Sequence, residues 1–169
     1  MTGCIRAYYQ QELCDSCVTV SVPGPMTPAE YGEFGHVSAV LSGDRHLCVG
    51  SLITPSSLLT TATCCSRLYL SSLKTTEFTT EFSGVDTVRV GDYYTDRLDE
   101  FEEDIAVKKI IVHEYFDTWT NQNDICLLIL EKPADITSQF VSTIGLPSDE
   151  SDYIPGEICQ VTDNEIKEE

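Results

Sequence analysis

Between Cys48 and Cys64 the chain reads CVGSLITPSSLLTTATC. Two runs of apolar and Ser/Thr residues flank Thr54-Pro55-Ser56-Ser57, where Pro55 presets the backbone for a turn. The stretch predicts two short strands folded back on each other. A disulfide closing its 15-residue gap would contribute roughly 3 kcal/mol, mostly by restricting the unfolded chain. Other segments alternate in the same way. Val37, Ala39 and Leu41 are interleaved with Ser38 and Val40, and Val88 and Val90 flank Arg89. Ile105–Val112 (IAVKKIIV) is a further strand candidate, followed by His113-Glu114-Tyr115-Phe116. Ile125–Leu130 is apolar on both faces, as a central barrel strand is, and Lys132-Pro133 ends it. Residues 67–82 are rich in Thr, Ser and Leu and read as a surface loop plus a strand. With no internal repeat and no long helical period, the pattern is all-β.

The 169 residues suffice for one domain with a real core, and 41% hydrophobic residues is ordinary for a globular protein. The formal net charge of −18 argues against nucleic acid or an anionic membrane as partner, since both repel it. It suits a protein that collects cations. Eight cysteines favour an oxidising, extracellular compartment. The residues after Met1, TGCIRAYYQQ, show no apolar core of a signal peptide. The longest strongly apolar run, Ile125–Leu130, is far too short to span a bilayer.

Residues 1–27 read as a cysteine-containing lead segment, stiffened by Pro23 and Pro25 and followed by Pro28. Cys14 and Cys17 form a CxxC that admits a redox or zinc role, but it lacks a second pair or a nearby histidine. The simpler reading is a disulfide-pinned linker. The pairing of Cys4, Cys14, Cys17, Cys65, Cys126 and Cys159 does not follow from the sequence. Cys126, inside an apolar run, reads as a buried free thiol.

Several motifs agree in order and spacing with one family. Cys48–Cys64 resembles the C-G-G-S-L-I-x-x-x-W-V-L-T-A-A-H-C stretch of trypsin/chymotrypsin-type serine proteases. Asn123–Leu130 (NDICLLIL) resembles their N-D-I-A-L-L-x-L. Ala29–Leu41, Gly145-Leu146-Pro147 and Gly156–Thr162 (GEICQVT) extend the likeness over residues 28–162, leaving 163–169 as an acidic tail. The resemblance implies the six-stranded antiparallel N-terminal β-barrel of the chymotrypsin-like fold, the second barrel not being represented in the sequence. It also implies a Cys48–Cys64 disulfide and makes Asp124 the triad carboxylate. Cys159 falls on a family cysteine whose partner belongs to the second barrel.

The chemistry departs from the family at three points. A serine protease needs a nucleophile, a base to take its proton, a carboxylate to orient the base, and donors for the oxyanion. Thr63 stands where the family has its histidine, and a threonine hydroxyl cannot accept a proton near neutral pH. Residues 23–28 read PGPMTP where the family has its I-V-G-G activation junction. The nucleophile motif G-D-S-G-G does not occur. His36, His46 and His113 read as loop or strand-edge residues. Asp124, without an imidazole, is expected to accept hydrogen bonds from Thr63 or a neighbouring N–H, because an unpartnered buried carboxylate is costly.

One site matches better. Gly91–Glu103 (GDYYTDRLDEFEE) resembles the calcium loop of trypsins. It places carboxylates at Asp92, Asp99 and Glu102 and backbone carbonyls at Tyr94 and Arg97. Calcium takes six to eight oxygens in flexible geometry, which that set plus water supplies. The alternative is a solvated acidic loop, since Asp96, Glu100, Glu103 and Asp104 crowd the same stretch. The leading expectation is a catalytically inactive member of the family that binds other proteins through its exposed inter-barrel face. The alternatives are a fragment of an active endopeptidase and a calcium-binding extracellular module.

Overall fold

The computed structural model describes residues 30, 32–66, 86–93 and 101–147. The lead-segment cysteines, the strand expected within 67–82, Tyr94, Arg97 and Asp99, and the stretch 156–162 with Cys159 lie outside the described residues.

Alternation of side chains across each strand builds a closed barrel. Among the described residues six strands follow in chain order: β1 (Val37–Ser42), β2 (Arg45–Thr54), β3 (Ser57–Thr60), β4 (Asp86–Val90), β5 (Glu103–Val112) and β6 (Cys126–Leu130). Their spatial order is β1-β2-β3-β6-β5-β4, closing from β4 onto β1, with every pair antiparallel. Closure removes the exposed edges on which an open sheet risks aggregation. Register shifts at Val40/Leu41, Leu52/Thr54 and Val107/Lys109 mark bulges, which bend strands where the barrel must curve.

Two turns fix the hairpins. β1 and β2 meet at Ser42↔Arg45, and Gly43 takes a φ of +60° at the first loop position, as a tight two-residue hairpin loop demands. β2 and β3 meet at Thr54↔Ser57 across Pro55-Ser56, the turn that the proline predicts. Inward residues form one core of Val40, Leu52, Leu58, Val88, Val90, Ile105, Val107, Leu128 and Leu130. β6 has this two-faced pattern as well. Leu128 and Leu130 are buried inside, while Leu127 and Ile129 are only half-buried outside. Residues 131–147 then wrap back over the barrel. The N–H groups of Ala134, Ser142 and Ile144 donate to the carbonyls of Pro55, Gly35 and Leu52 at 2.8, 3.0 and 2.9 Å. Val141 is buried, and Phe140 stacks on Phe101 with centroids 4.3 Å apart.

Candidate functional site

β3 runs into a helical turn over residues 62–66. The sequence TATCC explains the start of this turn. Thr61 Oγ1 accepts the N–H of Cys64 at 3.1 Å, so Thr61 caps the turn in the usual Ser/Thr manner. The first N–H groups of a helix have no partner within it. One of these, on Thr63, donates to Asp124 Oδ1 at 2.7 Å. The Thr63 hydroxyl donates to Asp124 Oδ2 at 3.0 Å. Both carboxylate oxygens are therefore engaged by one residue. Asp124 sits just ahead of β6, which pairs with β3 through Thr60↔Cys126, and that pairing brings the two positions together.

Two disulfides frame the same spot. Cys48 bonds Cys64, tying β2 to the helical turn, with Cα atoms 6.2 Å apart. Cys65 bonds Cys126, with an S–S distance of 2.05 Å and Cα atoms 6.6 Å apart. Cys126 is thus buried but oxidised. The free thiol expected from its apolar surroundings is corrected, because the helical turn delivers Cys65 to it. Cys65 and Cys126 each lie two residues beyond Thr63 and Asp124. The hydrogen-bonded pair and the disulfide span the same separation of 61 residues. The matched offset becomes visible only once the Thr63–Asp124 contact is known.

Asp124 is met by Thr63 rather than by a histidine. The His113 Nδ1 accepts the N–H of Tyr115 at 3.2 Å in the loop after β5. His36 lies edge-on to Phe34, and burial pushes its imidazole below its ordinary pKa. His46 lies within β2. The Thr63–Asp124 pair holds the helical turn against β6, with threonine the donor in both hydrogen bonds.

The acidic loop is described at its neck. Gly91 has a φ of +73°, and a Cβ there would lie 2.6 Å from the Phe101 carbonyl oxygen, so the two ends of the loop touch. Asp92 and Glu102 each follow by one residue. Glu102 is 6% exposed and lies 3.6 Å from Arg89 Nη1. Arg89 also binds Asp104 through two hydrogen bonds of 2.7 and 2.9 Å. That guanidinium holds the Asp104 carboxyl below the usual carboxylate range, chiefly through the hydrogen bond. The neck thus gathers carboxylates around one cation. Among the described residues, no group of three or more His, Cys, Asp or Glu side chains forms a metal cluster. Two members of the expected calcium set, Asp92 and Glu102, are brought to the neck; the other three lie outside the described residues.

The Trypsin family model matches residues 25–164. The chain belongs to the trypsin family. It is 36% identical over 107 residues to Trypsin V-A of Rattus norvegicus, covering 63% of this chain and 36% of that protein. It is 35% identical over 108 residues to the anionic trypsin of Bos taurus, covering 64% and 36%. With the anionic trypsin of Canis lupus familiaris, identity is 31% over 122 residues, covering 72% and 41%. The matched stretch spans well under half the length of these trypsin relatives.

Proposed function

We propose that this trypsin-family chain is a non-catalytic protease homologue that works extracellularly by binding other proteins. The observation that carries the reading is Thr63, which donates both its N–H and its O–H to Asp124. In the family mechanism that carboxylate orients an imidazole, which takes the nucleophile's proton. A hydroxyl that donates to the carboxylate leaves no acceptor for that proton. This reasoning holds whatever sequence lies beyond residue 169, because the base belongs to this barrel.

The binding role is supported by apolar surface. Across β3, β6 and β5, Leu59, Leu127 and Ile111 are in register on the outer face, and Ile111 is exposed. Leu59 and Leu127 are half-buried beside it, and apolar surface left partly open to water supports an interaction site. The two disulfides among the described residues and the trypsin likeness support an extracellular setting. A calcium ion held by Asp92, Tyr94, Arg97, Asp99 and Glu102 is part of the proposal. It is supported by the closed neck and by the affinity of hard cations for clustered oxygens.

The test is hydrolysis. The full-length protein is incubated with peptide libraries and with trypsin ester substrates, beside an Asp124→Asn variant. No turnover above the uncatalysed rate is expected from either. Turnover that the Asp124→Asn change abolishes would overturn the proposal and favour an active endopeptidase.

A further inference from the structure

The loop between β5 and β6, residues 113–125, presents Tyr115 and Trp119 to solvent. Trp119 is the sole tryptophan of the chain and is 93% exposed; Tyr115 is 70% exposed. Large aromatic side chains normally bury most of their surface, so this nearly fully exposed indole beside an exposed tyrosine offers apolar area to a partner. The loop that carries it is well fixed. Phe116 packs against the core, and the His113 N–H donates to the Ile125 carbonyl at 3.1 Å. The Asp117 N–H donates to the Gln122 carbonyl at 3.1 Å, and Asn123 Nδ2 donates to the Tyr115 carbonyl at 2.9 Å. Asp117 Oδ1 accepts the N–H groups of Trp119 at 2.8 Å and Thr120 at 3.3 Å. Asn121 and Asn123 take left-handed φ values of 55° and 56°, which asparagine tolerates. A loop ordered before binding loses little entropy when a partner arrives.

Charge selects the partner. Residues 113–125 contain Glu114, Asp117 and Asp124 but neither lysine nor arginine, within a chain of net charge −18. The nearest basic residues in sequence, Lys108 and Lys109, are exposed on β5 before the loop. The donors on Asp117 hold its carboxyl below the ordinary aspartate range, so it stays charged well into acid. A guanidinium stacks flat on an indole and offers paired N–H donors to a neighbouring carboxylate; an ammonium lacks the planar fork.

We propose that Trp119 and Tyr115, with Glu114 and Asp117 beside them, form a docking site for an arginine-rich segment of a protein partner. This names the partner chemistry for the protein-binding reading above. It is tested by binding alone, so its failure and the failure of that reading are distinguishable. The sole tryptophan is the reporter. An oligoarginine peptide is titrated into the full chain at about 0.15 M salt, where surface charges act over only about 8 Å. The expected result is a shift and partial quenching of the indole emission. Labelled-peptide anisotropy is then expected to show binding weakened at least about tenfold by Trp119→Ala. Glu114→Gln weakens it less, and oligolysine binds more weakly than oligoarginine. Equal affinity for wild type and Trp119→Ala would show attraction by net charge only and would overturn the proposal. No binding at all would overturn it too. An emission shift with zwitterionic vesicles but not with the peptide would assign the loop to a lipid surface instead.

Discussion

A single side chain separates Thr63 from a working base. Threonine reaches the Asp124 carboxylate, but only an imidazole has a second nitrogen to turn toward a nucleophile. The geometry predicts what a restored histidine would do. In a Thr63→His variant the imidazole gains a carboxylate neighbour, so its pKa should rise above its usual value of about 6.5. The raised value means that the added interaction stabilises the variant fully below about pH 6.5 and fades as pH climbs through the new pKa. NMR titration of the ring protons measures this directly. A value at or below the ordinary one would mean that the carboxylate does not face position 63. A second residue-scale prediction concerns Arg89 and Asp104. The Asp104 carboxyl is held low by Arg89, so its contribution is present at neutral pH and lost as pH falls below about 4. Asp104 is nearly half exposed, so solvent limits that contribution to about 1 kcal/mol or less. Arg89→Gln should therefore flatten the acid limb of stability measured by urea unfolding across pH. An unchanged acid limb would place the pH dependence elsewhere.

At the scale of elements, the helical turn 62–66 is the joint of the site. It is short, and its hold on the barrel comes from three links: Cys48–Cys64, Cys65–Cys126 and the Thr63–Asp124 pair. The longer bridge spans 61 residues. In a chain-entropy account, closing a loop of that length stabilises by about 4 kcal/mol. Replacing both Cys65 and Cys126 by alanine should cost a comparable amount in urea unfolding, with the barrel otherwise retained. A loss below about 1 kcal/mol would mean that β6 is held by its strand pairing alone. The strands were legible in the sequence because alternation and turn residues act locally. Pro55, Val88 with Val90, and the run through Leu128 each state their own element. The Cys65–Cys126 bridge was not legible, because it depends on a helical turn that brings distant residues together. An apolar neighbourhood describes a free thiol and a buried disulfide equally well. The Thr63–Asp124 contact could be read only through the family resemblance, since no local pattern links residues 61 apart.

For the whole molecule, the barrel carries the family's shape, and in the proposed reading the position that would move a proton is filled by a hydrogen-bond donor. The proposed calcium site offers a way to probe the folded state. A cation bound only by the folded chain raises its stability by mass action. Thermal unfolding should therefore move upward with millimolar calcium and much less with magnesium, and Glu102→Gln should reduce the gain. Equal shifts with both cations would indicate general screening of the −18 charge rather than a site. The central claim is that Asp124 now serves the fold rather than chemistry. Catalytic carboxylates often cost stability, and removing one can raise it. A structural acceptor behaves in the opposite way. The deciding measurement is a double-mutant cycle in urea unfolding with Thr63→Val, Asp124→Asn and both together. The account predicts that Asp124→Asn lowers stability by about 2 kcal/mol, the range for hydrogen bonds to a charged group. It also predicts that the double variant loses little more than either single one, the mark of two coupled residues. An Asp124→Asn protein as stable as wild type or more so, with no coupling to Thr63, would contradict it.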